Sequence, residues 1–451
     1  MMLIKKLSAI IFIWILCTTT VFAITLSDLY FLAVKNDPTF NAAIKEQTAG
    51  KEFENIGLSQ LLPSVHVNYQ NSPRNWQRKV YPVTHYQGET QRTEYQNYQS
   101  HSVNIIVSQP LFDYAAFSEY KSSIIETLLS DSRYQAKFSE LVIRLIDNYI
   151  QLAYAQDKLQ LNISQQDIYS KQLVSSQRLF ELGEGTKTDI SEIETRLYLT
   201  QSQYTDILLE LENAKNKLSS MIGVQLPYDK QIAQLRNNEF ILQTIIPNNY
   251  DAWEKNAIQD NLNIQTSRYE MAIAKQEIEK QRAEFFPTVQ LYASYSNSDS
   301  DSNNTVNQQY QAANIGFYVS LPLFNGGKTT ASMRQSTALY QMSAFERDAV
   351  IQTIMQELRH QYQICTTSNI KLKAYEQSLS SAQLQLQATQ QSYLGGQRTM
   401  VDVLNAEELL YRAQQDLIKA KYDYLQAWTL LHQYTNRLDI EKIKIIESYF
   451  Q

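Results

Sequence analysis

The feature that most limits what this chain can fold into is that it is written twice. Leu61-Leu62-Pro63-Ser64-Val65 recurs as Phe285-Phe286-Pro287-Thr288-Val289, and Val107-Ser108-Gln109-Pro110-Leu111-Phe112 recurs as Val319-Ser320-Leu321-Pro322-Leu323-Phe324. Gly183, followed by Asp189, is echoed by Gly396, followed by Asp402. The offset is 224 at the first motif, 212 at the second and 213 at the third, a change that a longer loop in the first half accounts for. Solenoids and propellers repeat every ~20–50 residues, so halves of this length are one duplicated unit and not an array. With 11 glycines and 9 prolines among 451 residues, the chain also has too few breakers for a many-loop α/β enzyme. Long uninterrupted helices are the expectation.

Each half has the same order. The first repeat, 24–223, reads as a helical stretch, a strand at 62–70, a polar loop at 71–98, a strand at 99–109, a long helix at 112–182 and a returning helix at 187–222. A connector, 224–249, leads to the second repeat, 250–436. This has a helical stretch, a strand at 287–297, a loop at 298–309, a strand at 310–321, a long helix at 325–394 and a returning helix at 399–436. Residues 437–451 close the chain.

The strands alternate with period two. Val65, Val67 and Tyr69 oppose His66, Asn68 and Gln70, and Ile315, Phe317 and Val319 oppose Asn314, Gly316 and Ser320. An antiparallel sheet with one solvated face would read this way. So would an outer-membrane barrel with lipid outside and water inside. Single-chain membrane barrels start at about 8 strands, so four cannot close alone; three copies of the chain would supply twelve.

The helices carry an unbroken 3,4 apolar spacing, as in Ile190, Ile193, Leu197, Thr200, Tyr204, Ile207 and its copy Val403, Ala406, Leu410, Ala413, Leu417, Ala420. Sustained heptads mean coiled-coil packing. Alternate seam positions are small or polar, which suits a wide tube of helices better than a compact two-stranded coil. A solvated four-helix bundle is the alternative. At 1.5 Å per residue, the stretch from Ala116 to Leu182 makes a rod of about 100 Å.

Lys5 and Lys6, the apolar run Leu7 to Leu16 and the Val21-Phe22-Ala23 site read as a secretory signal peptide over 1–23. Cleavage after Ala23 removes two lysines and no acid, moving the net charge from -6 to -8. Such a chain would be repelled by phosphate, which excludes nucleic acid as a partner. Only Cys365 then remains of the 2 cysteines, so no internal disulfide forms. The 5 histidines show no metal-ligand spacing, and no nucleophile elbow or phosphate loop occurs, so neither an enzyme nor a cofactor is expected.

The signal segment, the two-fold repeat, the paired strands after Leu-Pro, and the turn Gly396-Gln397-Arg398-Thr399-Met400-Val401-Asp402-Val403-Leu404 together resemble the TolC family over the whole mature chain. Members are outer-membrane channels for efflux and type I secretion. The resemblance implies a mainly α fold with a membrane β-barrel. A long coiled-coil tunnel would lie in the periplasm, and four strands per chain would contribute to a twelve-stranded barrel in a homotrimer. Residues 223–249 and those after Asn436 would form a belt around the tunnel. The same resemblance implies the outer membrane of a Gram-negative bacterium as location. Its partners would be a periplasmic adaptor (membrane fusion) protein and an inner-membrane transporter of the ABC or RND type, which drives export through a passive duct.

Gating in the family resides in the helix turns at the periplasmic tip, around Gly183 and Gly396 here. The family's tie carries over onto Tyr393 and Arg398 of the second repeat, facing Thr188 and Asp189 of the first. Asp189 and Asp402 could equally be helix caps. The family narrows its tip with two acidic rings. Asp402 matches the first, but Asn405 stands at the second, which implies three carboxylates in a trimer and not six. Two other readings stay open: a surface barrel acting as receptor or adhesin through 71–98, and a soluble periplasmic coiled-coil scaffold.

Overall fold

A computed structural model describes residues 25–81, 93–226, 232, 234–236, 240–300 and 308–450. The signal segment and parts of the connector and of both strand-joining loops lie outside the described residues. The chain forms two compact units, and the long helices contribute residues to both. One unit holds the chain up to Ile44, Gln135–Leu262 and the chain from Ile351 on; the other holds Lys45–Tyr134 and Asn263–Val350.

The described chain opens with α1 (Leu26–Asn36), α2 (Pro38–Gly50) and α3 (Phe53–Ser59). Pro38 divides α1 from α2, because proline is welcome at a first helical position and not inside a helix. Two strands follow, β1 (Ser64–Val80) and β2 (Thr93–Phe112), then α4 (Tyr114–Glu181) and α5 (Lys187–Ile222). The second repeat gives α6 (Tyr250–Asp260), α7 (Leu262–Ala283), β3 (Thr288–Ser300), β4 (Gln308–Ser320), α8 (Lys328–Leu394) and α9 (Met400–Tyr434). The chain then forms α10 (Ile440–Glu447). The long helices start slightly later than the sequence pattern implies. Asp113 caps α4 by accepting from the Ala116 amide at 3.0 Å, and left-handed Gly326 and Gly327 delay α8.

In the second unit the strands form one antiparallel sheet in the order β1-β2-β3-β4, so that β2 and β3 join the two repeats. Tyr69 pairs with Val103, Ile105 with Tyr295, and Leu291 with Phe317. The expectation of a loop over 71–98 is corrected. β1 runs on to Val80 and β2 begins at Thr93, so most of that span is strand. Pro73 and a run of polar residues hide this in the sequence. The register shifts between Ser72 and Asn75, a bulge that accommodates the proline, and pairing resumes with Trp76 opposite Asn97. Residues 298–300 and 308–309, also expected as loop, are likewise strand. The apolar faces are uncovered: Val65, Val67, Ile315 and Phe317 are 63%, 65%, 78% and 68% exposed.

The same unit packs helices at close range. A Cβ added at Gly50 would meet Ser130 Oγ at 1.9 Å, and one at Gly57 would meet Ser123 Oγ at 2.0 Å. Lys280 pairs with Glu119 at 2.7 Å and Arg133 with Glu270 at 2.8 Å.

In the first unit the heptad seams are the core. Leu141, Leu145, Leu152, Ile193, Leu218, Leu404 and Leu431 are fully enclosed. The two returning helices differ, however. α9 buries nearly all of both rows of its seam, including Val403, Ala406, Ala413, Leu417 and Ala420 with Leu410 half-buried, whereas α5 buries Ile193, Thr200, Ile207 and Ala214 but leaves Ile190, Leu197, Tyr204 and Leu211 half-buried. α10 and the end of the chain pack on the same unit, with Phe450 edge-on to Tyr149 at 5.0 Å and bridged to Leu235. Among the described residues, no helix is long and apolar enough to cross a membrane.

Asp37 is enclosed at the α1–α2 joint. It caps α2 through the Phe40 amide at 2.7 Å and receives both terminal nitrogens of Arg144, at 3.1 and 3.3 Å. Arg144→Met strands that carboxylate, and we expect it to lower stability by about 2–4 kcal/mol. Denaturant unfolding checks this, and adding Asp37→Asn recovers part of the loss.

Candidate functional site

The two helix turns in the first unit are built alike. At the end of α4 the chain reverses through Gly183, whose φ of 82° is left-handed, with the Glu184 amide returning to Leu179 O at 2.9 Å. At the end of α8, Gly396 takes φ 72° and the Gln397 amide returns to Ser392 O at 2.9 Å. A Cβ at either glycine would meet nothing within 4 Å, so conformation and not space requires glycine there.

Both turns hand over to the next helix through a Thr-x-x-Asp cap. Thr186 Oγ1 accepts from the Asp189 amide at 3.1 Å and donates to Asp189 Oδ2 at 2.7 Å. Thr399 makes a full capping box: its amide and hydroxyl donate to Asp402 Oδ2 at 3.0 and 2.9 Å, and its hydroxyl accepts from the Asp402 amide at 3.3 Å. The bonds from the Thr399 backbone and side chain hold the Asp402 carboxyl below the usual aspartate range, with a smaller contribution from Arg398. This cap is therefore present above that range and lost as pH falls through the lowered value.

Within the chain, the expected tie is only partly assembled. Arg398 pairs with Asp402 of its own turn, Nη1 to Oδ1 at 3.8 Å, both side chains being exposed. Its ion pair is thus with Asp402, four residues on in the first turn of α9, rather than with Asp189 of the other hairpin. Thr188 is exposed. Tyr393 does approach Asp189: burial first, and the Asp189 charge second, push its phenol up. Tyr393 also packs on the apolar cluster of Tyr169, Ile193, Met400, Val403 and Leu404, which brings α4, α5, α8 and α9 together. Asp402 and Asn405 lie three residues apart, with Asn405 exposed.

Sequence reasoning missed the strongest polar tie between the returning helices. Arg196 of α5 is ion-paired with Glu408 of α9, donates from Nη2 to Asn405 Oδ1 at 3.0 Å, and reaches Glu192 at 3.5 Å. Glu408 in turn holds Arg412. The signal was present as two i,i+4 acid–base pairs, Glu192/Arg196 and Glu408/Arg412, but such pairs are usually solvated helix faces. At the neighbouring position of α9, Glu407 accepts from Gln172 of α4 inside the bundle.

Among the described residues no group of acidic, His or Cys side chains could hold a metal ion. Cys365 is a buried free thiol, its ionisation pushed up to about 12 by burial.

The family model described as outer membrane efflux protein matches residues 29–224 and 253–437. The alkaline protease secretion protein AprF of Pseudomonas aeruginosa is 36% identical over 95% of this chain and 88% of its own length. The proteases secretion protein PrtF of Dickeya chrysanthemi is 34% identical over 95% of this chain and 92% of its own length. The solved structure of CusC superposes with a TM-score of 0.76 at 18% identity, over 92% of this chain and 93% of that one, a likeness in fold.

Arg196→Ala is expected to cost about 1–2 kcal/mol at the tip, since it removes charge-assisted hydrogen bonds from a half-buried Glu408. Amide exchange should accelerate in 187–200 and 400–412. Arg398→Ala should leave those segments unchanged.

Proposed function

The chain belongs to the outer membrane efflux protein family, and on that premise we propose that it is a passive exit duct whose helix tips open and close. It is an outer-membrane protein of the TolC type. The duct is a homotrimer in this reading. Its edge strands expose Val65, Val67, Ile315 and Phe317, as lipid-facing strands do. Three such sheets make a twelve-stranded barrel. The half-buried row of α5 is the face that a second copy covers, which leaves a tunnel of paired helices. A periplasmic adaptor and an inner-membrane transporter supply the energy.

Protein export is favoured over efflux of small compounds by one observation: the relatives AprF and PrtF, both above 30% identity along nearly the whole chain, are named for protease secretion. The transporter is then of the ABC type, with the RND type implied by the efflux alternative. Deleting the gene should remove one or more proteins from the culture medium while leaving detergent and dye sensitivity unchanged. The opposite result would assign the duct to small-compound efflux.

Gating is carried by Gly183, Gly396, Thr188, Asp189, Tyr393 and Arg398 at the turns, with Asp402 and Asn405 facing the constriction. Asp402 supplies three carboxylates in a trimer. Asn405 adds none, and its amide oxygen accepts from the Arg196 guanidinium. A sparse carboxylate field holds multivalent cations weakly. In bilayer recordings trivalent cations should block this channel less than its Asn405→Asp variant; equal block would remove Asn405 from the constriction.

A further inference from the structure

Glu407 occupies a position where a carboxylate has little to gain by ionising. It lies on α9 just beyond Val403 and Leu404, is 4% exposed, and faces Tyr169 and Gln172 of α4. Gln172 Nε2 donates to Glu407 Oε1. Beside that bond lie two buried oxygens, Glu407 Oε2 and Gln172 Oε1, neither of which has a hydrogen-bond partner. Both are acceptors when the carboxyl is ionised, so they cannot serve each other, and each unmade bond is costly in the interior. A proton on Oε2 resolves both. The acid then donates to Gln172 Oε1 while the amide donates back, closing a ring of two reciprocal hydrogen bonds.

We propose that Gln172 and protonated Glu407 form a proton-dependent latch between the two helical hairpins of the tip, repeated between copies of the chain by Gln385 and Glu194. The repetition follows from the duplication. The offset of 213 that relates Gly183 to Gly396 also relates Gln172 to Gln385 and Glu194 to Glu407. Glu194 is half-buried and Gln385 exposed in the single chain, on the side that a second copy covers in the trimer reading. An acid and an amide therefore stand at matching places on both sides of each hairpin.

The surroundings leave the carboxyl as the responsive group. Burial pushes it up from 4.5 to about 7, against the smaller opposing influence of the Gln172 and Gln390 amides. The groups around it are Tyr169 of α4, Glu192 and Arg196 of α5, Tyr393 of α8, and Glu408, Tyr411 and Arg412 of α9. Burial pushes all three phenols up, so they stay neutral. Arg196 is ion-paired to Glu192 and Glu408, and Arg412 to Glu408. Because the folded value lies above the ordinary one, the latch is whole at low pH and weakens as pH rises through the raised value. Each pH unit in that window shifts the closed–open balance by up to about tenfold toward open.

The function of the latch rests on the tip being the gate, but its existence does not. Hydrogen exchange on the assembled protein, corrected for intrinsic rates, tests the latch by itself. Between about pH 5 and about pH 8, segments 165–176 and 400–412 should exchange at least about tenfold faster at the upper end. Glu407→Gln, whose amide can pair with Gln172 at any pH, should abolish that dependence there and leave 187–200 and 380–390 responsive. Glu194→Gln should do the converse. A pH profile that survives Glu407→Gln in 400–412 overturns the latch, and one that survives Glu194→Gln in 187–200 overturns its repetition. Single-channel conductance of the double variant then tests the gate. An exchange response without a conductance response keeps the latch and removes the gating role.

Discussion

Among the described residues, the outer edges of β1 and β4 are bonded to no further strand, while the faces of the same sheet expose valine, isoleucine and phenylalanine. Hydrocarbon offers no partner to a bare strand edge, so a sheet of this kind is viable in a membrane only when closed into a barrel. Four strands do not close. The need for other copies of the chain is thus set by backbone hydrogen bonding, before any side chain at an interface is considered. Much else is consistent with that need. The long helices have coiled-coil seams, and the seam of α5 is covered on one row and half-open on the other. Pro63, Gly183, Pro287 and Gly396 stand at turns and strand junctions, outside the long helices.

What could be read from the sequence was whatever repeats along one element. Period two in Val65-His66-Val67 and the 3,4 spacing from Ile190 depend on local geometry alone, and so do the left-handed turn glycines. What escaped depends on which elements face each other. β1 continues through Pro73 because β2 pairs with it beyond the bulge, which residues 71–80 cannot announce. Glu407 follows the apolar position Ala406 and has the look of a solvated helix acid. It is enclosed because α4 covers that side of α9. Arg398 was expected to reach the other hairpin, but the helix that follows it offers Asp402 four residues on.

The 30 tyrosines, unexplained by composition, find part of their cause in the helical unit. A phenol fills a wide seam with its ring and carries a hydroxyl to a polar atom at the edge. Tyr422 donates to buried Asp157 at 2.8 Å, Tyr449 donates to Ile241 O at 2.5 Å, and Tyr424 accepts from the Gln243 amide at 2.9 Å. Tyr424 ties the stretch before α6 to α9, and Tyr449 ties the same stretch to the turn after α10. Tyr149 differs: its ring packs on Phe450 and its hydroxyl has no partner.

The Arg196 cluster joins the hairpins of one subunit, yet the duplication does not copy it. The position equivalent to Arg196 is Leu409, and that equivalent to Glu408 is Thr195. In a three-fold ring of six hairpins, this ion-paired cluster would therefore recur at every second joint only. Such a ring has three stiff segments and three softer hinges. Its easiest widening keeps each subunit's pair of hairpins together and separates neighbouring subunits, so the aperture would grow with three-fold and not six-fold symmetry. Added salt would soften the ion-paired segments.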